Sequence, residues 1–201
     1  MERENRIIQQ SLHLFLTTGI KGVSMDDVAQ HLGISKKTLY LHVKNKEDLV
    51  EKSFAYHYNC MKEVIEGLSQ KYENAIDEIF EIDERICELM KHNHPYLLSN
   101  LKKYYPKVWR FMDDLKKKSI FKTIRNNLER GISQGLYRSL IDTDIITKFM
   151  LNRVDTLVNE ELFPLTEYDF RQLLQENRIY HIRGIATIKG IEYLDKKMTN
   201  E

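Results

Sequence analysis

Apolar residues recur at three- and four-residue spacings along most of the chain, and the strict alternation of a half-buried strand is nearly absent. Ile8, Leu12 and Phe15 share one helical face with Ile7 and Leu14 beside it, and this first stripe stops at Gly19, a residue suited to a left-handed cap. Ser24 followed by Asp27 has the form of a capping box, and Val28, Ala29 and Leu32 form a two-turn stripe that ends at Gly33. Ser35 can cap a third short helix running to Val43, with Leu39 and Val43 facing inward beneath Lys36, Lys37, Tyr40 and His42. From Lys46 a long helix is expected through Leu49, Val50, Phe54, Met61, Val64, Ile65 and Leu68, weakened near Gly67 and Ser69. Further helices are expected at 75–91, 95–105, 106–134, 142–162 and 168–197. The three prolines, Pro95, Pro106 and Pro164, leave the first 94 residues free of the strongest helix breaker. The fold class is therefore all-α: a three-helix helix-turn-helix module, then a helical bundle, with no repeat and no Gly/Ser linker between them.

The length of 201 residues allows one large domain or two small ones, and the pattern divides it at 1–46 and 47–201. With 42% hydrophobic and 30% charged residues, the composition is that expected of a soluble globular protein. The net charge of +1 is uninformative about a polyanionic partner, but its distribution is not. Residues 1–46 hold seven bases against four acids, a local +3, and the remainder carries −2. Between Ile34 and Lys46 lie four lysines and no acid, the kind of patch that neutralises phosphates by counterion release. Two cysteines, Cys60 and Cys87, and no recognisable leader make a reducing cytoplasm the expected compartment. The charge-free stretch 7–20 is too short and too polar to cross a bilayer, so no membrane association is expected.

Residues 19–49, GIKGVSMDDVAQHLGISKKTLYLHVKNKEDL, carry the functional signal. Two short helices joined through Gly33, with Ala29 small where they cross and Ile34 between them, meet the steric needs of a helix-turn-helix. Val28, Leu32, Leu39 and Val43 form its apolar underside, so the second helix can present its N-terminal half to a major groove. At Gly19, Ser24, Val28, Ala29, Gly33, Ile34, Ser35, Leu39, Tyr40, His42, Val43, Lys46, Glu47 and Leu49 the block resembles the TetR-like (tetracycline-repressor) transcriptional regulators. The resemblance covers about a quarter of the chain; Lys37 stands where many relatives carry a small residue, and Val43 where phenylalanine is common.

That resemblance implies a DNA-binding regulator, most often a repressor, that acts as a homodimer on a palindromic double-stranded operator. Lys36, Lys37 and Thr38 are then the base-edge or groove contacts, Tyr40, His42 and Lys46 the phosphate contacts, and Ser24 and Ser35 add hydrogen bonds near helix N-termini. It also implies a small-molecule effector in the bundle that moves the two reading heads off the ~34–36 Å spacing of successive grooves. Tyr56, Cys60 and Met61 on the long helix, with Tyr96, Tyr105, Trp109 and Met112, are candidate pocket residues, although aromatic side chains at helical spacing also serve as plain core. The resemblance also implies dimerisation through two stripes, Ile141, Ile145, Phe149, Val154 and Leu157, and Ile182, Ile185, Ile188, Ile191 and Leu194, which would bury roughly 2,000 Å² or more; the alternative is that the stripes face their own subunit. No cofactor is expected; His92 and His94 are two apart, and Cys60 and Cys87 lack a CxxC pattern, so no metal site is expected either. No catalytic triad, phosphate loop or carboxylate pair is visible, which argues against an enzyme. The rival reading is a helical dimeric adaptor that has lost DNA binding.

Overall fold

A computed structural model describes residues 2–91, 97–159, 161–164 and 166–199. His92, His94, Pro95 and Tyr96 lie outside the described residues, as does the side chain of Val154. The described residues form ten helices: α1 (Glu2–Thr18), α2 (Met25–Leu32), α3 (Lys36–Leu39), α4 (Lys46–Lys71), α5 (Ala75–Met90), α6 (Leu97–Tyr104), α7 (Pro106–Ser133), α8 (Thr143–Leu157), α9 (Phe170–Ile185) and α10 (Ile188–Thr199). No helix among the described residues is long and apolar enough to cross a membrane.

The chain falls into two compact units, Met1–Glu63 with Met90–Lys116, and Val64–Leu89 with Lys117–Glu201. Both α4 and α7 are shared between them. In the first unit Ile7, Phe15, Val28, Leu32, Leu39, Val43, Leu49 and Phe54 form one buried core. Leu97, Leu101 and Val108 join that core, so α6 and the start of α7 pack with the N-terminal module. Each aliphatic side chain buried in this way contributes about 1.5–3 kcal/mol relative to exposure. Lys52 adds a polar brace: its Nζ donates to Glu4 on α1 (3.0 Å) and to the His42 carbonyl (3.0 Å). The Lys52 ammonium in turn holds the Glu4 carboxyl below its ordinary range.

The second unit is centred on Ile76, Phe80, Leu128, Tyr137, Ile182, Ile185 and Leu194. Here three expectations are corrected. α8 stops at Leu157 rather than 162, because the Asn159 carbonyl closes a separate turn with the amides of Leu162 and Phe163. The expected helix at 168–197 is broken into α9 and α10 at Ala186, whose backbone is extended and bridges Tyr137. The amides of Arg138 and Thr187 donate to the carbonyls of Ile185 and Leu136, each at 2.9 Å, so the α7–α8 connection is wedged between the two helices. Gly190 makes room for that wedge, since a Cβ there would overlap the Leu136 carbonyl oxygen. Third, Ile182, Ile185 and Leu194 are buried in the core of their own unit and Ile191 packs against it, so of this stripe only Ile188, 78% exposed, is left free to meet a partner. In the other stripe Ile141 likewise packs against the core, whereas Ile145 and Phe149 are exposed.

Buried polar residues give the second unit a specific register. Glu78, almost wholly buried, accepts from Asn127 Nδ2 (2.5 Å) and from Ser69 Oγ, and it pairs with Arg130. Tyr137 Oη closes the set by donating to Asn127 Oδ1 (3.2 Å). In a second cluster the Arg178 guanidinium lies 3.6 Å from the Phe80 ring centroid and 3.5 Å from Asp83 Oδ2. His181 is buried near Arg153, which donates to the Asn177 carbonyl (2.8 Å). Burial, with Arg153 adding, pushes the His181 imidazole down to about 4, while burial pushes Asp83 up to about 7 against the pull of Arg178.

These two groups act on stability with opposite signs. The unfolded imidazole titrates near ~6.5, so the folded state, which keeps His181 neutral, is favoured above that pH and loses the contribution as pH falls toward 4. Asp83 favours the folded state at low pH and withdraws its contribution as pH rises through about 7. His181→Gln isolates the first effect because Asp83 is common to both proteins. In urea titrations, the stability of wild type relative to H181Q is expected to shrink as pH is lowered from neutral toward 4.5; a difference independent of pH would contradict the buried neutral imidazole.

Candidate nucleic-acid interface

The residues at 19–49 fold into a capped pair of short helices on an apolar floor. Gly19 (φ 85°) and Gly33 (φ 64°) both occupy the left-handed region, where a side chain is disfavoured. At Gly33 the helix ends and the Ile34 amide donates to the Ala29 carbonyl (3.0 Å), which turns the chain directly into α3. Val28, Ala29, Leu32, Leu39 and Val43 are all buried beneath it. The polar side chains of α2 and α3 are left facing outward.

Ser24 forms the expected capping box: the Asp27 amide donates to Ser24 Oγ (3.1 Å), and the Ser24 amide donates to Asp27 Oδ2 (2.7 Å). These bonds hold the exposed Asp27 carboxyl below its ordinary range. Ser35 caps α3 by accepting from the Thr38 amide (3.0 Å), and its hydroxyl also bonds that of Thr38 (2.8 Å). α3 itself is shorter than expected. Only Lys36–Leu39 are α-helical, and the amides of Leu41 and His42 then donate three residues back in a tightening turn that still buries Val43.

Lys36, Lys37 and Tyr40 are exposed at the start of this element, with Thr38 and His42 half-buried beside them. The Lys36 ammonium lies 2.9 Å from Asp26 on α2, which raises its pKa above the ordinary lysine value. Lys46 is placed differently from a free surface lysine: its Nζ donates to the Ile20 carbonyl (2.6 Å), and burial lowers its pKa, opposed by Asp27. It ties the α1–α2 loop to the start of α4 and keeps donors to spare. Of the candidate pocket residues, Tyr56, Cys60 and Met61 are half-buried on α4, and Tyr56 accepts from Gln9 Nε2 (2.8 Å). A hydrogen bond with Cys60 raises the Tyr56 phenol above its ordinary range. Tyr105, Trp109 and Met112 pack against the core of the first unit. Tyr96 lies outside the described residues.

Sequence reasoning missed three residues here. Leu41 is 76% exposed in the middle of the basic face. Asn45 caps α4 by accepting from the Asp48 amide (2.9 Å), while Asp48 accepts from the Lys44 amide (2.8 Å). The same three-residue spacing as Ser24 and Asp27 announces this cap in the sequence. Asp26, whose pairing with Lys36 spans ten residues, has no such local signal.

A rigid helix-turn-helix with a basic, hydroxyl-rich outer face is the reading element of a DNA-binding regulator. Residues 7–52 match the model of the bacterial regulatory proteins of the tetR family, so this N-terminal part of the chain is similar to their DNA-binding module. The chain is 26% identical over 98% of its length, and 80% of the relative's, to the uncharacterised HTH-type transcriptional regulator YerO of Bacillus subtilis (strain 168). It is 31% identical to the biofilm operon icaADBC HTH-type negative transcriptional regulator IcaR of Staphylococcus epidermidis, over 43% of this chain and 50% of that one. Its fold matches the crystal structure of the transcriptional regulator FadR from Bacillus subtilis in complex with stearoyl-CoA, at a TM-score of 0.70 and 18% identity, over 89% of this chain and 97% of that one. These relatives are regulators, not enzymes.

The turn at Gly33 can be tested without touching the outer face. A Cβ at this position meets nothing within 4 Å, so Gly33→Ala adds only the strain of the left-handed backbone. A loss of about 1–2 kcal/mol in chemical denaturation is expected; an unchanged or higher stability would mean that the turn does not depend on this conformation.

Proposed function

We propose that the chain is a homodimeric, ligand-responsive repressor of the cytoplasm that binds a palindromic operator through α2 and α3 and is released by a small-molecule effector. The observation that carries this reading is the exposure of Lys36, Lys37 and Tyr40 over a buried apolar floor. Lys36, Lys37 and Thr38 address base edges in the major groove, and Leu41 suits the methyl group of thymine. Tyr40, His42 and Lys46 contact phosphates, and Ser24 and Ser35 lie at helix starts where phosphate oxygens are also favoured. Residues 1–46 thus serve as the reading module, and 47–201 serve effector binding and dimerisation.

The dimer reading is supported by Ile145 and Phe149 on α8 and Tyr180 on the adjacent α9, where Phe149 is 62% and Tyr180 74% exposed. A second copy would cover these side chains, and a palindromic operator asks that two α3 elements lie one helical turn apart, ~34–36 Å. The effector reading is supported by the fold match to a stearoyl-CoA complex, a ligand that belongs to that protein. Tyr56, Cys60 and Met61 are the residues on α4 that we assign to effector contact; Tyr105, Trp109 and Met112 reach it through their packing on the first unit's core. To empty an occupied operator the effector must prefer the released state by several kcal/mol, about 5.5 for a complete reversal.

Fluorescence anisotropy with duplexes from the gene's own upstream region tests the proposal. Lys37→Glu combined with Tyr40→Ala is expected to weaken binding tenfold or more, at about 1–3 kcal/mol per lost contact, with oligomeric state and Tm unchanged. Binding equal to wild type, or no salt-dependent binding by the wild-type dimer, would favour the adaptor reading instead.

A further inference from the structure

Residues 97–112 contain Lys102, Lys103, Lys107 and Arg110 and no acid, a charge run that the helix-turn-helix leaves without a role. These residues end α6 and begin α7, and the apolar side of both helices packs through Leu97, Leu101 and Val108 on the core that also supports α2 and α3. The four cations and Tyr104 are exposed on the other side. From the α1–α2 loop, Lys21 places its Nζ 5.5 Å from the Tyr104 ring centroid, and the Lys103 Nζ lies 5.6 Å from the same centroid. Two like charges thus converge on one phenol ring. Among the described residues no carboxylate pairs with Lys21, Lys102, Lys103, Lys107 or Arg110. Lys21 also lies three residues before Ser24, the cap of α2, so this positive field continues into the reading module.

We propose that this face is a second phosphate-contacting surface, which holds the backbone of duplex DNA beyond the stretch addressed by α3. It rests on the DNA-binding reading above. Lysine ammonium groups are strongly hydrated point charges that hold phosphates without reading bases, and a tyrosine hydroxyl can add a hydrogen bond to a phosphate oxygen. A duplex supplies a regular row of negative charges along one direction, which matches a patch that begins at the cap of α2. The contribution is to affinity and orientation and is independent of sequence.

The test compares the full-length wild type with Lys102→Gln, Lys103→Gln, Lys107→Gln on two duplexes, with Lys37→Glu, Tyr40→Ala as the control for the reading face. One duplex, of about 20 base pairs, spans only the two α3 contacts; the other extends it by about one helical turn at each end. Circular dichroism and sedimentation confirm that the surface variant folds and associates as wild type does. On the longer duplex the slope of log K against log salt is expected to fall by about 0.9 for each lost contact, so three contacts from each of two subunits change the affinity loss between 50 and 200 mM salt by roughly a thousandfold. On the shorter duplex the variant should match wild type. Equal slopes on both duplexes, or equal losses on both, would overturn the proposal while the control still shows α3 at work. Binding of polyglutamate to this face with no effect on the longer duplex would overturn it in favour of an acidic protein partner. If wild type binds neither duplex, the DNA-binding reading itself fails.

Discussion

The burial of Val28, Ala29, Leu32, Leu39 and Val43 beneath two helices that together span only a few turns is the constraint on which the rest of the molecule depends. α3 has four helical residues, far too few to be stable alone in water. It exists because its floor is sealed, because Ser35 caps it, and because the left-handed backbone at Gly33 sets it directly after α2. Once the apolar side is committed, Lys36, Lys37 and Tyr40 have only solvent to face. A surface that reads DNA needs groups held in position without being used up by the fold, and this arrangement supplies them.

The same economy shows in the polar residues around the module. Lys46 and Lys52 use their ammonium groups to pin the α1–α2 loop and the end of α3 to α4, and Asn45 with Asp48 caps the start of that helix. The reading face is therefore anchored at both ends through α4, which continues into the second unit. Asp26 works the other way: its bond to Lys36 competes with any phosphate or base for that ammonium. Both partners are exposed, so the pair itself contributes little to stability.

Much of this was legible in the sequence, for reasons that can be stated residue by residue. Capping boxes and glycine turns are local, so Gly19 marks the end of α1, Ser24 with Asp27 and Gly33 mark the two ends of α2, and Ser35 marks the start of α3 but not its end. Helical periodicity was equally clear, but it reports that a face is apolar and not what covers it. Periodicity alone thus cannot tell a partner from the chain's own core for this stripe, in which Ile182, Ile185 and Leu194 are held by the core of their own unit and Ile188 is exposed. The break at Ala186 depends on Leu136 and Arg138 bonding across the gap, and the pairing of Glu78 with Arg130 and Asn127 joins residues far apart in the chain. No short window contains such contacts. The candidate pocket carries the same ambiguity, since Trp109 and Met112 have the composition of a ligand wall and, half-buried, also pack against the core.

Hydrogen–deuterium exchange of the full-length protein, measured with and without a bound duplex, tests the central claim most directly. Peptides covering residues 24–43 should exchange more slowly when DNA is present, because their outward face becomes covered while the floor beneath stays closed. A bound duplex that leaves exchange in these peptides unchanged and slows it in α8 and α9 instead would contradict the account.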